Sequence, residues 1–213
     1  MKILLVLLSL GQLMAPGSRA GFEMTDGDDQ LRAKLTFEHK GEAYTMRSTE
    51  ADDLDHYRAI FGNPISMQKY MEGVPRSEED IVRRHGRYHA AWQAKDPWSS
   101  YLVFQGDRFA GHVLLEPTDR PEYPYETELS YVFLPEFWRS GLGTASVGAL
   151  INQAVIPVLK LKYKIKGHDI SQIYATARED NPGSWGILKN NGFAFESSQT
   201  KFGVVRQFYS RKV

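Results

Sequence analysis

Apolar residues recur at two different intervals along this 213-residue chain, and the change from one interval to the other outlines the fold. Within 50–61, Leu54, Tyr57, Ile60 and Phe61 fall at helical spacing, and Gly62-Asn63-Pro64 stops the pattern. A second helical stripe, Ile81, His85, Tyr88 and Trp92, opens behind Ser77, whose hydroxyl can cap the first turn, with Asp80 three positions on. Asp96-Pro97 closes it. The period then drops to two. Residues 98–105 and 108–116 are β-rich runs joined by Gln105-Gly106-Asp107, a hairpin connection that predicts antiparallel pairing. Beyond a Pro- and Tyr-rich loop at 117–125, residues 127–134 read as another strand, followed by Pro135, a glycine-containing turn and a small-residue helix from about Thr144. Residues 173–178 form a further strand, 182–190 a short helix with proline in its first turn, and 193–210 a final β pair interrupted near 201–203. With a short strand at 43–47, the order predicts a mixed α/β domain built on one sheet.

Three stretches fall outside this pattern. Residues 21–42 are polar, cluster Asp26, Asp28 and Asp29, and read as a linker or lead-in to a domain at 43–213. Residues 1–20 run from Met1-Lys2 through Ile3 to Leu8, Leu10 and Leu13 to Ser18-Arg19-Ala20, the three-part form of a secretory signal. Two alternatives stay open: an upstream-extended start with Met24 as the beginning, or an apolar segment packed on the domain. That run is short of the roughly 20 residues a bilayer span needs, so stable membrane insertion is not expected. In 160–166 the lysines alternate with Leu161, Tyr163 and Ile165, but Pro157 before and Gly167 after favour a helix end and solvated loop.

Composition narrows the chemistry. Lysine plus arginine and aspartate plus glutamate balance at 26 each, so no overall field draws nucleic acid. Without cysteine there is no thiolate nucleophile and no cysteine-ligated zinc. His85 and His89 have i, i+4 spacing, but Gly86 stands where a zincin glutamate would be, so no metal is expected.

Trp138-Arg139-Ser140-Gly141-Leu142-Gly143-Thr144 lies between a strand and a helix. Glycines there let successive backbone N–H groups converge on an anion, and the helix N-terminus adds its dipole. The segment lacks the Lys-Ser/Thr ending of a nucleoside triphosphate loop and the third glycine of a dinucleotide fold. A tight strand-to-helix connection with no ligand is the plain alternative.

The stretch Glu128-Leu129-Ser130-Tyr131-Val132-Phe133-Leu134-Pro135-Glu136-Phe137 leading into that segment resembles motif A of the GNAT N-acetyltransferase superfamily, especially its ribosomal-protein (Rim-type) branch. Asn181-Pro182-Gly183-Ser184 through Leu188-Lys189-Asn190-Asn191-Gly192-Phe193 resembles the same branch's Asn-x-x-Ser helix and Gly-Phe turn, and Phe61-Gly62-Asn63-Pro64 and Gly111 fit in order. The likeness covers about 43–210. It implies a mostly antiparallel sheet flanked by helices and splayed between its fourth and fifth strands, with acetyl-CoA as co-substrate and an amine as acceptor. Val132, Phe133 and Leu134 would hold the pantetheine arm and acetyl carbonyl, Trp138, Arg139, Ser140, Gly141, Leu142, Gly143 and Thr144 the pyrophosphate, Asn181 the pantetheine side, and Ser184 would sit near the sulfur. Transfer would be direct, and the Rim-type likeness favours a peptide or protein α-amino acceptor. A small-molecule amine such as an aminoglycoside or polyamine, and a non-catalytic acyl-CoA-binding domain, are the alternatives. Need for acetyl-CoA points to the cytoplasm, against export if 1–20 is a signal. A homodimer is left open.

In that frame Glu128, in the family's Glu-x-x-Tyr position, is the candidate general base, against a strand-end carboxylate paired with a surface cation. Ser184 is the candidate acid toward the thiolate, and Tyr131 an acid or pocket-lining tyrosine. His112, on a central strand, and Tyr123 and Tyr125, in the proline-rich loop, are acceptor-side candidates against packing roles.

Overall fold

The computed structural model describes residues 21–120 and 122–213, so the signal-like segment lies outside the described residues. Nine strands among them form one sheet in the order β1-β2-β3-β4-β5-β6-β7-β9-β8. They are β1 (Gly21–Asp26), β2 (Leu31–His39), β3 (Glu42–Ser48), β4 (Ser100–Gln105), β5 (Arg108–Pro117), β6 (Glu126–Phe133), β7 (Gln172–Arg178), β8 (Ala194–Lys201) and β9 (Val204–Lys212). Helices α1 (Leu54–Phe61), α2 (Pro64–Met67) and α3 (Glu78–Gln93) lie between β3 and β4, α4 (Leu142–Lys162) between β6 and β7, and α5 (Pro182–Asn190) between β7 and β8. Every pairing is antiparallel except that of β6 with β7.

β1 and β2 correct the expectation of a lead-in at 21–42. Leu31, Ala33, Leu35 and Phe37 are buried while Arg32, Lys34 and Glu38, on the alternate positions, are exposed, a strand pattern with one wet face. The aspartate cluster that reads as a linker is the hairpin turn between the two strands, closed by Gly27 N–H donating to Gln30 O at 3.0 Å.

Period-two alternation gives the sheet two apolar faces. Leu102, Leu114 and Val132 pack against Tyr57, Ile60, Phe61 and Met67 of α1 and α2 and Ile81 and Tyr88 of α3. Their neighbours Val103, Val113, Leu115, Leu129 and Phe133 face the other way, onto Val147, Ile151, Val155 and Leu159 of α4 and Leu188 of α5. Each such side chain contributes about 1.5–3 kcal/mol by burial, which holds helices that are short in their own right. Ser77 caps α3 as expected, accepting from Asp80 N–H at 3.2 Å.

α4 is apolar and long enough to cross a bilayer by length and composition, yet the residues named above bury it in the core. It starts at Leu142, two residues before the expected point, and passes through Pro157 to Lys162. Leu150–Leu159 is wound as a π-helix. Its wider turns move the carbonyls off the register that the proline ring would strike and that its missing N–H would leave unmet. The lysines that follow leave the helix for a loop closed by the Ile165–His168 bridge.

β6 and β7 stay paired only over Glu126–Gln172, Thr127–Ile173 and Glu128–Tyr174, then part. Counted from β3, these are the fourth and fifth strands, where the splay was expected.

Candidate active site

The parted strands open a cleft of about 850 Å³ that runs from the α4 N-terminus to the β8–β9 turn. Its first end is the glycine-containing loop. Arg139 (φ 58°) and Gly141 (φ 89°) are both left-handed, so the chain between them turns its amides to one side, the geometry of an anion nest. Gly141 is also the N-cap of α4, and Gly143 and Thr144 sit in its first turn, where N–H groups have no intrahelical acceptor. Leu142 is the exception: its N–H donates to Ser140 Oγ at 3.1 Å, and Ser140 Oγ donates to Phe137 O at 2.6 Å. Ser140 therefore shapes the loop from beneath and does not line the cleft, whereas Trp138, Arg139, Gly141, Leu142, Gly143 and Thr144 do. A Cβ at Gly143 would lie 2.6 Å from Ile187 Cδ1, the tip of a side chain on α5, so the close approach of loop and helix favours glycine there.

The cleft wall continues along β6. In an antiparallel ladder alternate residues turn their main-chain groups toward the same neighbour. Leu134 N–H donates to Ala110 O at 2.9 Å, which puts Leu134, and by alternation Val132, on the β5 side. Phe133 and Tyr131 then face the opening. Trp138 Nε1–H takes the Phe133 carbonyl at 2.8 Å, so the Phe133 N–H is the group turned to the cleft. Of Val132, Phe133 and Leu134, the three residues expected to hold a pantetheine arm by their main chain, Phe133 alone presents it; Val132 is in the lining with its main chain turned to β5, and Leu134 is outside the lining. Asn181 caps α5, its side chain accepting from Ser184 N–H at 3.2 Å, and both line the opposite wall. Tyr131 Oη donates to Ser184 O at 3.0 Å and lies equally close to Ser184 Oγ. Burial pushes the Tyr131 phenol well above its ordinary range, so it stays a neutral donor.

Glu128 lies at the branch point of the two strands and lines the cleft without a hydrogen bond or ion pair among the described residues. Burial raises its pKa to about 7, with Asp119 and Glu116 adding to the rise and Lys201 and Arg206 opposing it. The surface-pair alternative for this carboxylate is thereby set aside.

Three acceptor-side candidates do not reach the cleft. His112 is fully buried, with Ser100 Oγ 2.9 Å from Nδ1 and the rings of Tyr57, Phe61 and Tyr88 around it. Burial, with Arg84 adding to it, lowers its pKa to about 3, so it is a neutral core residue. Tyr123 and Tyr125 pack edge to face at 6.0 Å, and Arg120 stacks on Tyr123 at 3.9 Å, outside the cleft lining. His85 and His89 donate to Glu50 O (2.9 Å) and Gln30 Oε1 (3.0 Å) respectively. No group of three metal-ligating side chains occurs among the described residues.

The structure adds two residues the sequence did not single out. His39, at the end of β2, donates from Nε2 to Ser140 O at 2.9 Å, and its ring stands 3.2 Å from where a Gly141 Cβ would be. Arg206, on β9, is 7% exposed and lines the far end of the cleft. Neither belongs to a local motif; His39 is reached only through the unexpected hairpin, and Arg206 only through the β7–β9 pairing.

A family described as Acetyltransferase (GNAT) domain matches residues 44–194. No curated protein matches the chain. Among solved structures, RimL, a ribosomal L7/L12 alpha-N-protein acetyltransferase in complex with coenzyme A, is similar at 16% identity and TM-score 0.62, over 84% of this chain and 98% of that one. The acetyltransferase yncA of Salmonella typhimurium with acetyl-CoA gives 15%, 0.60, 79% and 93%. MccE, a microcin C7 self immunity acetyltransferase in complex with acetyl-CoA and AMP, gives 16%, 0.59, 80% and 92%. At these identities the likeness is one of fold.

Proposed function

The chain belongs to the GNAT acetyltransferase family and is an acetyl-CoA-dependent N-acetyltransferase, and from that premise we propose that its acceptor is the α-amino group of a peptide or protein. The residues present fit acetyl-CoA: a nest of amides at a helix N-terminus suits a diphosphate, and the cleft continues from it between β6 and the Asn181–Ser184 turn. The N–H groups of Gly141, Gly143 and Thr144 would hold the diphosphate, Arg139 would add charge, and Asn181 would meet the pantetheine side. When bound, acetyl-CoA supplies an acetyl group activated as a thioester.

The Phe133 N–H faces the opening, where it would polarise an acyl oxygen, a contribution that a fixed main-chain donor makes without reorganisation. Ser184 and Tyr131, hydrogen-bonded to each other, would offer a proton to the departing thiolate. Glu128 would take the proton from the acceptor ammonium.

One observation supports the reading: Glu128 lies unpaired in the cleft where β6 and β7 part, and burial raises its carboxyl to about 7. An α-ammonium near 8 gives its proton to such a base at a cost of about 1.4 kcal/mol, whereas a lysine ammonium near 10.4 would cost about 4.6 kcal/mol. The gap between the two amines is the same for any base, so a lone carboxylate at Glu128 suffices for an α-amine where a lysine would need further help. The Rim-type resemblance points the same way, and we place the activity in the cytoplasm, where acetyl-CoA is made. Release of CoA thiol with a panel of peptides with free α-amines, lysine side-chain amines with the α-amine blocked, and aminoglycosides tests this. Turnover confined to the last two groups would overturn it.

A further inference from the structure

The charged side chains that line the far half of the cleft are paired, with two exceptions. Arg87 meets Glu116 at 2.6 Å, Lys201 meets Asp119 at 2.9 Å, Arg84 meets Asp80 at 2.8 Å, and Lys69 meets Asp180. The carboxylate left over is Glu128. The cation left over is Arg206, whose guanidinium is held rather than neutralised: Nε donates to Thr176 Oγ1 at 2.9 Å and Nη2 to Thr176 O at 3.0 Å. Its Nη1 is buried and has no hydrogen-bond partner among the described residues. An unmet donor on a buried cation is costly, more so than an unmet neutral group, and such a group calls for an explanation.

The spacing of the two leftovers is informative. Glu128 is paired in register with Tyr174, and Arg206 is anchored on Thr176, two residues further along β7. At about 3.3 Å per residue the anchor points lie about 7 Å apart along the strand, just where β6 and β7 separate. A group bridging them would present a proton donor to one and an oxygen to the other, with a hydrogen bond of about 2.9 Å at each end. An ammonium with a carbonyl or carboxylate oxygen on the adjacent carbon has that form. Phe202 covers the guanidinium, its ring centroid 5.7 Å away, from the turn between β8 and β9. Phe202 is 37% exposed at this turn, so its ring has open solvent to turn into.

We propose that Arg206 is a specificity-determining residue that donates Nη1–H to the oxygen beside the acceptor's amine, with Phe202 swinging aside to admit it. The proposal rests on the α-amino reading above and deepens it: the enzyme reads the first carbonyl of its acceptor as well as the amine. Burial draws the Arg206 pKa below its ordinary value while Tyr70 and Glu128 oppose that, as expected for a cation short of an anionic partner.

The test compares serine amide with 2-amino-1-propanol, which keeps the amine and hydroxyl but lacks the carbonyl. Wild-type enzyme is expected to favour the amide by at least tenfold in kcat/KM, with most of the difference in KM. Arg206→Met should lower that ratio at least fivefold, the remainder belonging to the lower pKa of an amine beside a carbonyl, Arg206→Lys should leave it intermediate, and Thr176→Val, which keeps the charge but removes the Nε anchor, should lower it. Acetyl-CoA affinity, measured alongside by calorimetry, should move less than threefold in all three variants, and this also reports that they are folded. A ratio near one in the wild type, or one unchanged by Arg206→Met, overturns the proposal. Preference for a lysine or aminoglycoside amine over both probes would instead overturn the α-amino reading. If acetyl-CoA binds but neither probe is acetylated, calorimetric titration of N-acetylserine amide into the CoA-loaded protein still decides Arg206: binding must weaken at least tenfold in Arg206→Met, and equal affinity rejects it.

Discussion

Replacing Glu128 with glutamine separates a catalytic base from a structural carboxylate, because the two roles move stability and rate in opposite directions. Burial lifts this carboxyl from 4.5 to about 7 in the folded protein. Between those values the folded state holds a proton that the unfolded chain has lost, so folding becomes less favourable as pH rises through the window. Above pH 7 the ionised group costs about 3 kcal/mol, at 1.36 kcal/mol for each pH unit of displacement. Glutamine keeps the shape and drops the penalty. Urea denaturation at pH 5 and pH 8.5 should therefore show the wild type losing about 2.5 kcal/mol relative to Glu128→Gln between the two. Rate should respond the other way. Wild-type kcat/KM should rise about tenfold per pH unit and level off near pH 7, while the variant should lose that inflection and fall by roughly 10²–10⁴. Stability curves that run parallel, or a variant that keeps both its rate and its inflection near 7, would refute the assignment of Glu128 as an ionisable base in a desolvated site.

Gly141→Glu should abolish acetyl-CoA binding in a calorimetric titration, since it adds a negative charge at the nest, forces a side chain onto φ 89° and drives its Cβ within 3.2 Å of His39; unchanged affinity would count against the site. His39→Ala removes the hydrogen bond that fixes the Ser140 carbonyl, and the loss of about 1 kcal/mol should weaken acetyl-CoA about fivefold in the same titration. His112, neutral in the fold with a pKa of about 3, stabilises above pH 6.5 and loses that contribution as pH falls. Between pH 7 and pH 4 the wild type should lose about 3 kcal/mol more than His112→Leu in chemical denaturation, and equal losses would show the imidazole to be solvated.

Local periodicity determined a large share of this molecule. Helical and period-two stripes placed α1, α3, β4 to β7 and the final hairpin, because each element buries one face and its sequence must repeat at the interval of its backbone. The loop at 138–144 was legible for the same kind of reason: the left-handed turn favours glycine at 141, and the close approach of Ile187 favours it at 143. At β1 and β2 the aspartate-rich turn outweighed a four-residue alternation beside it, and the strands went unread. What only tertiary structure decided is which side chains meet. His112 sits on a strand beside Gly111 as an acceptor-facing residue would, but the α1–α3 layer closes over it. His39 and Ser140 are 101 positions apart, and Arg206 reaches Thr176 across 30. Register sets such contacts, and a strand pattern fixes which face a residue takes without saying which strand will lie beside it. Glu128 divides the same way: its place on the strand is written locally, but its proton affinity belongs to the charges and the apolar walls the fold assembles around it.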